Sequence, residues 1–320
     1  MSDNFFNEKY LNIVQKVKPY LENLDTEINN HFNQYDNDRN EILPIIKEFL
    51  ANKGKRIRPV VIFLVLKALN RDIKPGHYKI AMSNELIHNA TLIHDDIIDC
   101  SLIRRGKKTL NFNYDSKLAV LAGDYLLAEV LEILSDIESK EIRKIYSNAL
   151  SYLINGELNQ YFHRFKILTI EDYIEKSKNK TARLFEAGIV SAYLFESNDK
   201  QNLENIRDFA LNFGIAFQIY NDLENLNSED KLNEDIQNGD YSAPVIFYAQ
   251  EKCPQKTCRL DNSTLILKQL KKTSAIEKTK ELIKIYITRA IENLSFIEDN
   301  LYKQTLIELC QLYITEKNDG

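Results

Sequence analysis

The chain has few residues that interrupt regular structure, and this scarcity bears on its fold class. Only 9 glycines and 6 prolines are spread through its 320 residues. Because Gly and Pro are the strongest local breakers, their rarity favours long uninterrupted elements, which are typically helices. No alternating stretch of apolar and polar residues is long enough to predict a sheet. The sequence therefore predicts an all-α fold in one domain over 1–320, with helices long enough to surround a central pocket. Among the predicted helices are ones at about 116–135, 171–197 and 200–227, followed by a polar loop, and two more in the tail from about 265 to 316.

Other absences argue against whole classes of protein. The formal net charge of -5 leaves no surplus of positive charge for nucleic acid. No apolar run approaches the roughly 20 residues that span a bilayer, and the N-terminus lacks the basic and apolar regions of a signal peptide. The four cysteines (Cys100, Cys253, Cys258 and Cys310) form no CxxC pair, which favours reduced thiols over zinc or disulfides. We expect a cytoplasmic protein with no transmembrane segment and no nucleic-acid partner.

A predicted helix at about 77–98 ends in three closely spaced carboxyl groups. His88, Asp95 and Asp99 are seven and four residues apart, which places them on one helical face, and Asp96 lies beside them. The residues between them are apolar, so the cluster is expected in a partly enclosed place, where unpaired carboxylates repel and need a cation. Oxygen ligands in this small number suit Mg²⁺ that is shared with phosphate oxygens. A solvated acidic helix end is the plainer alternative.

Two basic turns accompany the carboxylates. The first follows them directly as RRGKKT, and its Arg104 and Arg105 carry the planar guanidinium forks that match phosphate oxygens. The second is GKRIRP at 54–59, which contains Lys55 and Arg58. Together with His88 it is a candidate for a second, metal-free diphosphate site. Either turn taken alone is also compatible with an ordinary basic surface loop.

Five segments in this order resemble the motif set of the trans-prenyl diphosphate synthases. They are GKRIRP at 54–59, ELIHNATLIHDDIID at 85–99, RRGKKT at 104–109, KTARLFEAG at 180–188 and FGIAFQIYNDLEN at 213–225. The residues ATLIHDD and KTARLFEA are most similar to the octaprenyl and related long-chain branch. The resemblance implies antiparallel helices around a deep pocket, usually in a homodimer, although a heteromer is also conceivable.

The same resemblance implies a role for each matching residue. The diphosphate of isopentenyl diphosphate would be held by Lys55, Arg58, His88 and Arg105. Mg²⁺ on the allylic diphosphate would be bound by Asp95, Asp96, Asp99 and Asp222. That allylic diphosphate would also be contacted by Arg104, Lys180, Thr181 and Gln218, with Lys180 among the catalytic residues. The diphosphate group of the allylic substrate would leave with its charge neutralised by Mg²⁺, which forms an allylic carbocation. The double bond of isopentenyl diphosphate would attack that carbocation, and the proton then lost would go to the departing diphosphate.

The second aspartate-rich motif departs from the family pattern. It is Asn221-Asp222-Leu223-Glu224-Asn225, and Asn is a weaker Mg²⁺ ligand because it brings no charge. In the following loop Asp240 stands where the family usually has Lys, and Lys231 is the cation that remains. A working synthase would then depend on Asp222, helped by Glu224 or Glu229.

Three further interpretations stay open. Asn221, Asn225 and Glu229 are spaced four apart and resemble the metal triad of class I terpene cyclases, except that Asn225 replaces a Ser or Thr. The chain could also be a weakly active partner subunit of a heteromeric synthase, or a helical scaffold or diphosphate sensor. The complete set of isopentenyl-site residues favours the synthase, because a cyclase has no second substrate to hold.

The residues before Asp95 bear on product length. Thr91 and Ala90, four and five positions upstream, are both small, so the tail of a growing product could pass. The similarity to the long-chain branch implies a medium or long product for a quinone side chain. Ala90→Phe is then expected to shorten the product, unless Ala90 simply packs against a neighbouring helix.

Overall fold

The computed structural model of the protein describes residues 2–34, 41–195, 200–252, 260 and 263–315, so Cys253 and Cys258 lie outside the described residues. In chain order the helices are α1 (Ser2–Asn33), α2 (Leu43–Ala51), α3 (Ile57–Ala68), α4 (Pro75–Ile98), α5 (Leu110–Asn113), α6 (Ser116–Ser135), α7 (Lys140–Phe162), α8 (Ile170–Ser177), α9 (Arg183–Leu194), α10 (Leu203–Asn225), α11 (Glu229–Asn238), α12 (Ala243–Lys252), α13 (Ser263–Leu270), α14 (Ala275–Glu292) and α15 (Leu301–Gln311). A π-helical turn, Lys178–Ala182, joins α8 to α9, and the two-residue strands β1 (Ile103–Arg104) and β2 (Lys107–Lys108) pair antiparallel. The predicted all-α fold class is confirmed.

Helix α3 occupies the centre of the fold. All of its residues except Lys67 are buried, as its apolar sequence on nearly every face predicts. It packs against α1, α4, α9 and α15, so the N-terminal and C-terminal helices meet on it. Buried apolar residues from Tyr10 to Tyr313 join one hydrophobic cluster, which ties the described helices together.

The helices around α3 leave a cavity between them. Helix α4 packs against α6 and α9, and α10 packs against α9 and α14. Helices α4 and α10 then face each other across the cavity, and α7 contributes a third wall. The two aspartate-containing motifs, at 85–99 and 213–225, are far apart in the sequence. In the fold they therefore face each other across the cavity.

The segment from α8 to α9 differs from the prediction of one helix over 171–197. A π-helical turn interrupts it, and this turn packs against both α7 and α10. Its approach to α10 requires Gly214, because a Cβ atom there would lie 2.5 Å from the Cα atom of Ala182. Turns of this kind occur frequently at functional sites, and this one carries Lys180 and Thr181 towards the cavity.

The C-terminal half contains more helices than the sequence predicts. Helix α11 lies in the polar segment that we expected to be a loop, and the tail forms α13, α14 and α15 instead of two helices. Helix α11 buries Leu232 and Ile236, an apolar pair too short to give a periodic pattern. Within the described residues, no helix has the length and apolar character needed to cross a membrane.

Candidate active site

Two adjoining cavities collect most of the predicted site residues. The larger, about 960 Å³, is lined by Lys55, Arg58, His88, Thr91, Asp95, Arg105, Lys180, Thr181 and Gln218. The smaller, about 530 Å³, is lined by Asp99, Arg104, Arg105, Lys180, Gln218 and Asp222. Arg105, Lys180 and Gln218 line both, so they mark the boundary at which the two spaces meet. The structure therefore brings residues from all five sequence motifs to one place.

Asp95 and Asp99 stand one helical turn apart near the end of α4. Burial raises the pKa of Asp95 and raises the pKa of Asp99 to about 6, while the nearby Lys180 ammonium opposes both shifts. The Nζ atom of Lys180 lies 2.9 Å from a carboxylate oxygen of Glu157 and 3.1 Å from the amide oxygen of Gln160. Two half-buried carboxyl groups with raised pKa values facing one cation make a site that would favour a further divalent cation.

Asp96 does not join these two carboxyl groups. It is buried, and its carboxylate accepts a hydrogen bond from the Nε atom of Arg104 at 2.5 Å. Asp96 lines a separate small cavity beside the hairpin rather than either of the two larger ones. In the structure its contact is thus the positioning of Arg104, and the predicted metal role of Asp96 stays a prediction.

Positive charge surrounds His88, which lies on α4 seven residues before Asp95 and also lines the larger cavity. Burial lowers the pKa of His88 well below its usual value, and Arg58 and Arg105 lower it further. Burial also lowers the pKa of Arg58 to about 10. The Nε atom of Arg58 is buried without a hydrogen-bond partner among the described residues, although the guanidinium lies over the ring of Phe185. An uncharged imidazole beside desolvated guanidinium groups is a site suited to an anion.

Arg105 reaches this cluster because Gly54 leaves room for it. A Cβ atom at position 54 would lie 2.6 Å from the Arg105 guanidinium. Arg105 also donates a hydrogen bond to the carbonyl oxygen of Asn52 at 3.0 Å, so the hairpin and the turn before α3 are held together. Arg56 in the same turn is used differently, because its guanidinium pairs with Asp25 and Glu85 at 3.0 Å and 3.2 Å.

Asp222 is the centre of a hydrogen-bonded chain on α10. The hydroxyl of Tyr173 donates to one carboxylate oxygen at 2.6 Å, and the amide of Gln218 donates to the other at 2.7 Å. Thr181 in turn donates to the amide oxygen of Gln218 at 2.6 Å. Burial raises the pKa of Asp222 to about 6, against the lowering effect of Lys176 and Tyr173. Thr181 and Gln218 therefore orient Asp222, and their predicted contact with the allylic diphosphate stays a prediction.

The other residues of the second motif are spread over both cavities. Asn221 lines the larger one and Asn225 the smaller one. The amide oxygen of Asn225 accepts a hydrogen bond from Lys231 at 3.4 Å. The side chain of Glu229 lies outside the described residues, so the proposed terpene-cyclase triad is not visible as a unit. Within the described part of the chain, no three His, Cys, Asp or Glu side chains are arranged to hold a metal ion by themselves.

The two residues assigned to product length have different surroundings. Thr91 lines the larger cavity, whereas Ala90 is 1% exposed and does not line it. Helices α6 and α7 contribute an apolar part of the wall of the larger cavity, which consists of Leu127, Leu150, Leu153, Ile154 and Leu158. The structure therefore does not place Ala90 at the cavity, because Ala90 is packed in the core.

Four residues of the site were missed from the sequence. Three of them, Glu157, Gln160 and Lys176, line the cavities. The fourth, Tyr173, is buried behind the cavity wall and reaches the site through its hydrogen bond to Asp222. The spacing of Lys176 and Lys180 was a usable signal, since residues four apart on a helix share a face. Nothing in the residues around Tyr173 distinguishes it from the other 16 of the 17 tyrosines in the chain.

Known proteins are similar to this chain in sequence and structure over most of their length. The family model described as polyprenyl synthetase matches residues 39–286. A prenyl transferase of Cyanidium caldarium is 32% identical over 311 residues, which cover 92% of this chain and 95% of that protein. A solanesyl-diphosphate synthase of Oryza sativa is 30% identical and covers 88% of this chain and 74% of its own.

A solved structure agrees with these sequences. The heptaprenyl diphosphate synthase of Staphylococcus aureus superposes with a TM-score of 0.82 at 26% identity, covering 96% of this chain and 99% of that one. The predictions of the family and of its long-chain branch are confirmed. The chain belongs to the polyprenyl synthetase family, and it is a transferase of prenyl groups that makes polyprenyl diphosphates in isoprenoid biosynthesis.

Proposed function

We propose that this chain condenses isopentenyl diphosphate with an allylic diphosphate, and that each diphosphate occupies its own side of the cavity. The observation that supports this most directly is the separation of charge. His88 and Arg58 line the larger cavity and not the smaller one, whereas Asp99 and Asp222 line the smaller cavity and not the larger one. The charges that act on the pKa of His88 are all arginines, whereas Asp99 lies among Asp95, Glu157, Glu234 and Lys180. The acidic residues would bind one substrate together with a metal ion, and the basic residues would bind the other substrate without a metal ion.

On the acidic side, the donor set fits Mg²⁺. Asp95, Asp99 and Asp222 offer oxygen ligands alone, and too few of them to enclose the ion, so diphosphate oxygens would complete the coordination. Burial raises the pKa of all three, and a divalent cation would compensate for that desolvation. When bound, Mg²⁺ would neutralise the charge that develops on the departing diphosphate. Lys180 and Arg104 would add charge-assisted hydrogen bonds to the same group.

On the basic side, Arg58 supports an anion site. This residue is 7% exposed, lines the cavity and keeps an Nε donor without a partner among the described residues. A buried donor of this kind is destabilising until an acceptor binds. The diphosphate of isopentenyl diphosphate would supply that acceptor, together with contacts from Lys55, His88 and Arg105. The apolar wall beyond Thr91 would then receive the growing prenyl chain.

The alternative interpretations use fewer of these residues. A terpene cyclase has one substrate, so it leaves the cluster around His88 without a ligand. A non-catalytic partner subunit or sensor leaves the Asp95, Asp99 and Lys180 arrangement without a reaction. We therefore favour the working synthase, with Asp222 as the main acid of the second motif.

Product length, assembly and location complete the proposal. The names of the solanesyl and heptaprenyl diphosphate synthases support a medium or long product. Helix α6 exposes apolar side chains that suit a homodimer interface, namely Val120, Leu121 and Leu131. A single domain over 1–320 is consistent with the shared core. A cytoplasmic location stays a prediction, and the rice relative is described as chloroplastic.

The assignment of the two sides is tested by comparing the KM for isopentenyl diphosphate with the KM for farnesyl diphosphate in single variants. Arg58→Met should raise the KM for isopentenyl diphosphate about tenfold, which corresponds to one lost charged hydrogen bond, and leave the KM for farnesyl diphosphate unchanged. Asp99→Asn should mainly lower kcat and raise the Mg²⁺ requirement. Arg58→Met acting on both constants equally would contradict two separate sites.

A further inference from the structure

The smaller cavity contains a lysine that no sequence motif assigns. Lys176, in the last turn of α8, lines the 530 Å³ cavity together with Asp99 and Asp222. Its side chain is 13% exposed. A lysine this well covered is uncommon, because desolvating an ammonium group is costly unless a partner compensates it. Lys176 has such a partner in Asp240.

Asp240 and Lys176 form a close ion pair. The Nζ atom of Lys176 lies 2.5 Å from a carboxylate oxygen of Asp240, which begins the segment after α11. The ammonium also lies 5.6 Å from the ring centre of Tyr173, whose hydroxyl binds Asp222. Lys176 is thus positioned between the acid that replaces the family's usual lysine and the main acid of the second motif.

The ion pair with Lys176 changes the charge that Asp240 contributes to the cavity. An unpaired Asp240 carboxylate in the cavity wall would repel a diphosphate. Because Lys176 pairs with Asp240, the negative charge of this carboxylate is neutralised. A lysine ammonium has three N–H donors, and Asp240 is the one hydrogen-bond acceptor found for it among the described residues. The remaining donors are available to oxygens in the cavity, which Lys180 also lines.

We propose that Lys176 binds the allylic diphosphate, with Asp240 holding its ammonium at the cavity wall. The positive charge that the loop lost at position 240 is then supplied from α8. This inference rests on the proposed allylic site, and it adds to that site a binding residue from outside the five motifs. Asp240 is a positioning residue and makes no contact with substrate.

The test compares Lys176→Met with two reference variants. Lys176→Arg keeps the charge, and Lys178→Met removes a neighbouring lysine that lines neither cavity and pairs with Glu175 at 3.5 Å. Binding of inorganic pyrophosphate with Mg²⁺ is measured by calorimetry, and KM is measured for farnesyl and isopentenyl diphosphates. Lys176→Met should weaken pyrophosphate binding about tenfold, the equivalent of one charge-assisted hydrogen bond, and raise the KM for the allylic substrate alone. Lys176→Arg should largely restore binding, and Lys178→Met should match the unmodified protein.

Asp240→Asn separates substrate contact from a purely structural ion pair. Both single variants break the pair, so both should lower the melting temperature. If Lys176 touches the diphosphate, Asp240→Asn keeps the ammonium and loses less pyrophosphate affinity than Lys176→Met. Equal losses in the two variants, or unchanged binding in Lys176→Met, would overturn the inference while leaving the proposed function intact. Absence of pyrophosphate binding in the unmodified protein would overturn both.

Discussion

The hydroxyl of Tyr173 donates a hydrogen bond to a carboxylate oxygen of Asp222 at 2.6 Å, and this contact links α8 to the altered second motif. The bond favours the ionised carboxylate, because a donor stabilises the charged form. Burial nevertheless raises the pKa of Asp222 to about 6. Asp222, the aspartate that remains in this motif, is therefore mostly ionised at neutral pH.

Tyr173→Phe should shift the acid limb of the pH dependence of kcat to higher pH. Without the Tyr173 donor the pKa of Asp222 rises further, so a larger fraction is protonated at a given pH and Mg²⁺ binds less well. Tyr146→Phe is the matched control, because Tyr146 is equally buried and donates to the carbonyl oxygen of Ile80 at 2.8 Å. Either variant should lose about 1 kcal/mol of folding stability. An acid limb that moves equally in both variants would contradict a special role for Tyr173.

Asp235 gives the metal-free protein a distinctive pH dependence of stability. Burial, together with the charges of Asp222 and Asp240, raises the pKa of Asp235 to about 8. An unfolded Asp titrates near 4, so the folded state binds a proton that the unfolded state has released. Stability is therefore lost as pH rises through about 8.

The melting temperature without Mg²⁺ should then rise as the pH is lowered from 9 to 7, by the equivalent of about 1 kcal/mol. Asp235→Asn should abolish most of this dependence. His88 does not interfere, because its lowered pKa matters only below the usual histidine range. A profile in Asp235→Asn that matches the unmodified protein would show that another group is responsible.

Gly54→Ala should weaken the binding of isopentenyl diphosphate through Arg105. The new methyl group would meet the guanidinium at 2.6 Å, and the flexible arginine would move away from the cavity. The KM for isopentenyl diphosphate should rise about tenfold, with little change in melting temperature. Combining Gly54→Ala with Arg105→Met should add nothing to Arg105→Met alone. Additive losses would mean that Gly54 acts independently of Arg105.

Thr91→Phe should shorten the product, because Thr91 lines the cavity and a ring there would fill it. Ala90→Phe, the substitution that the sequence suggests, should instead destabilise the protein, typically by 1–3 kcal/mol, because Ala90 is packed in the core. Product ladders and melting temperatures of both variants are compared. A shortened ladder with normal stability in Ala90→Phe would return the role to Ala90.

The sequence predicts some elements of the fold well and others poorly, for identifiable reasons. Helix α6 has the predicted bounds, Ser116–Ser135, because an apolar pattern follows a clear N-cap whose Asp115 side chain accepts from the backbone of Leu118. The interruption at Lys178–Ala182 was not predictable, because a π-helical turn shifts the register without a breaker residue. Helix α11 was missed because its stability comes from two buried apolar residues against neighbouring helices.

Some residues of the candidate site could also be predicted from the sequence, whereas others could not. Four residues could be predicted from the sequence because each lies in a contiguous motif with recognisable chemistry. They are Asp95, Asp99, Lys180 and Asp222. For Lys176 the sequence offers only its spacing of four from Lys180, because its position at the cavity depends on packing between α8 and the segment after α11. Asp96 belongs to the acidic motif, yet its contact with Arg104 at 2.5 Å turns it away from the other carboxyl groups.

The central claim is that two substrates meet in one cavity, and a product assay tests it most directly. The pure protein is incubated with Mg²⁺ and farnesyl diphosphate, with and without isopentenyl diphosphate, and extracted with hexane before and after phosphatase treatment. We predict medium or long prenyl products that require isopentenyl diphosphate and enter hexane only after phosphatase. Hydrocarbons formed from farnesyl diphosphate alone, or no product under any condition, would contradict the account.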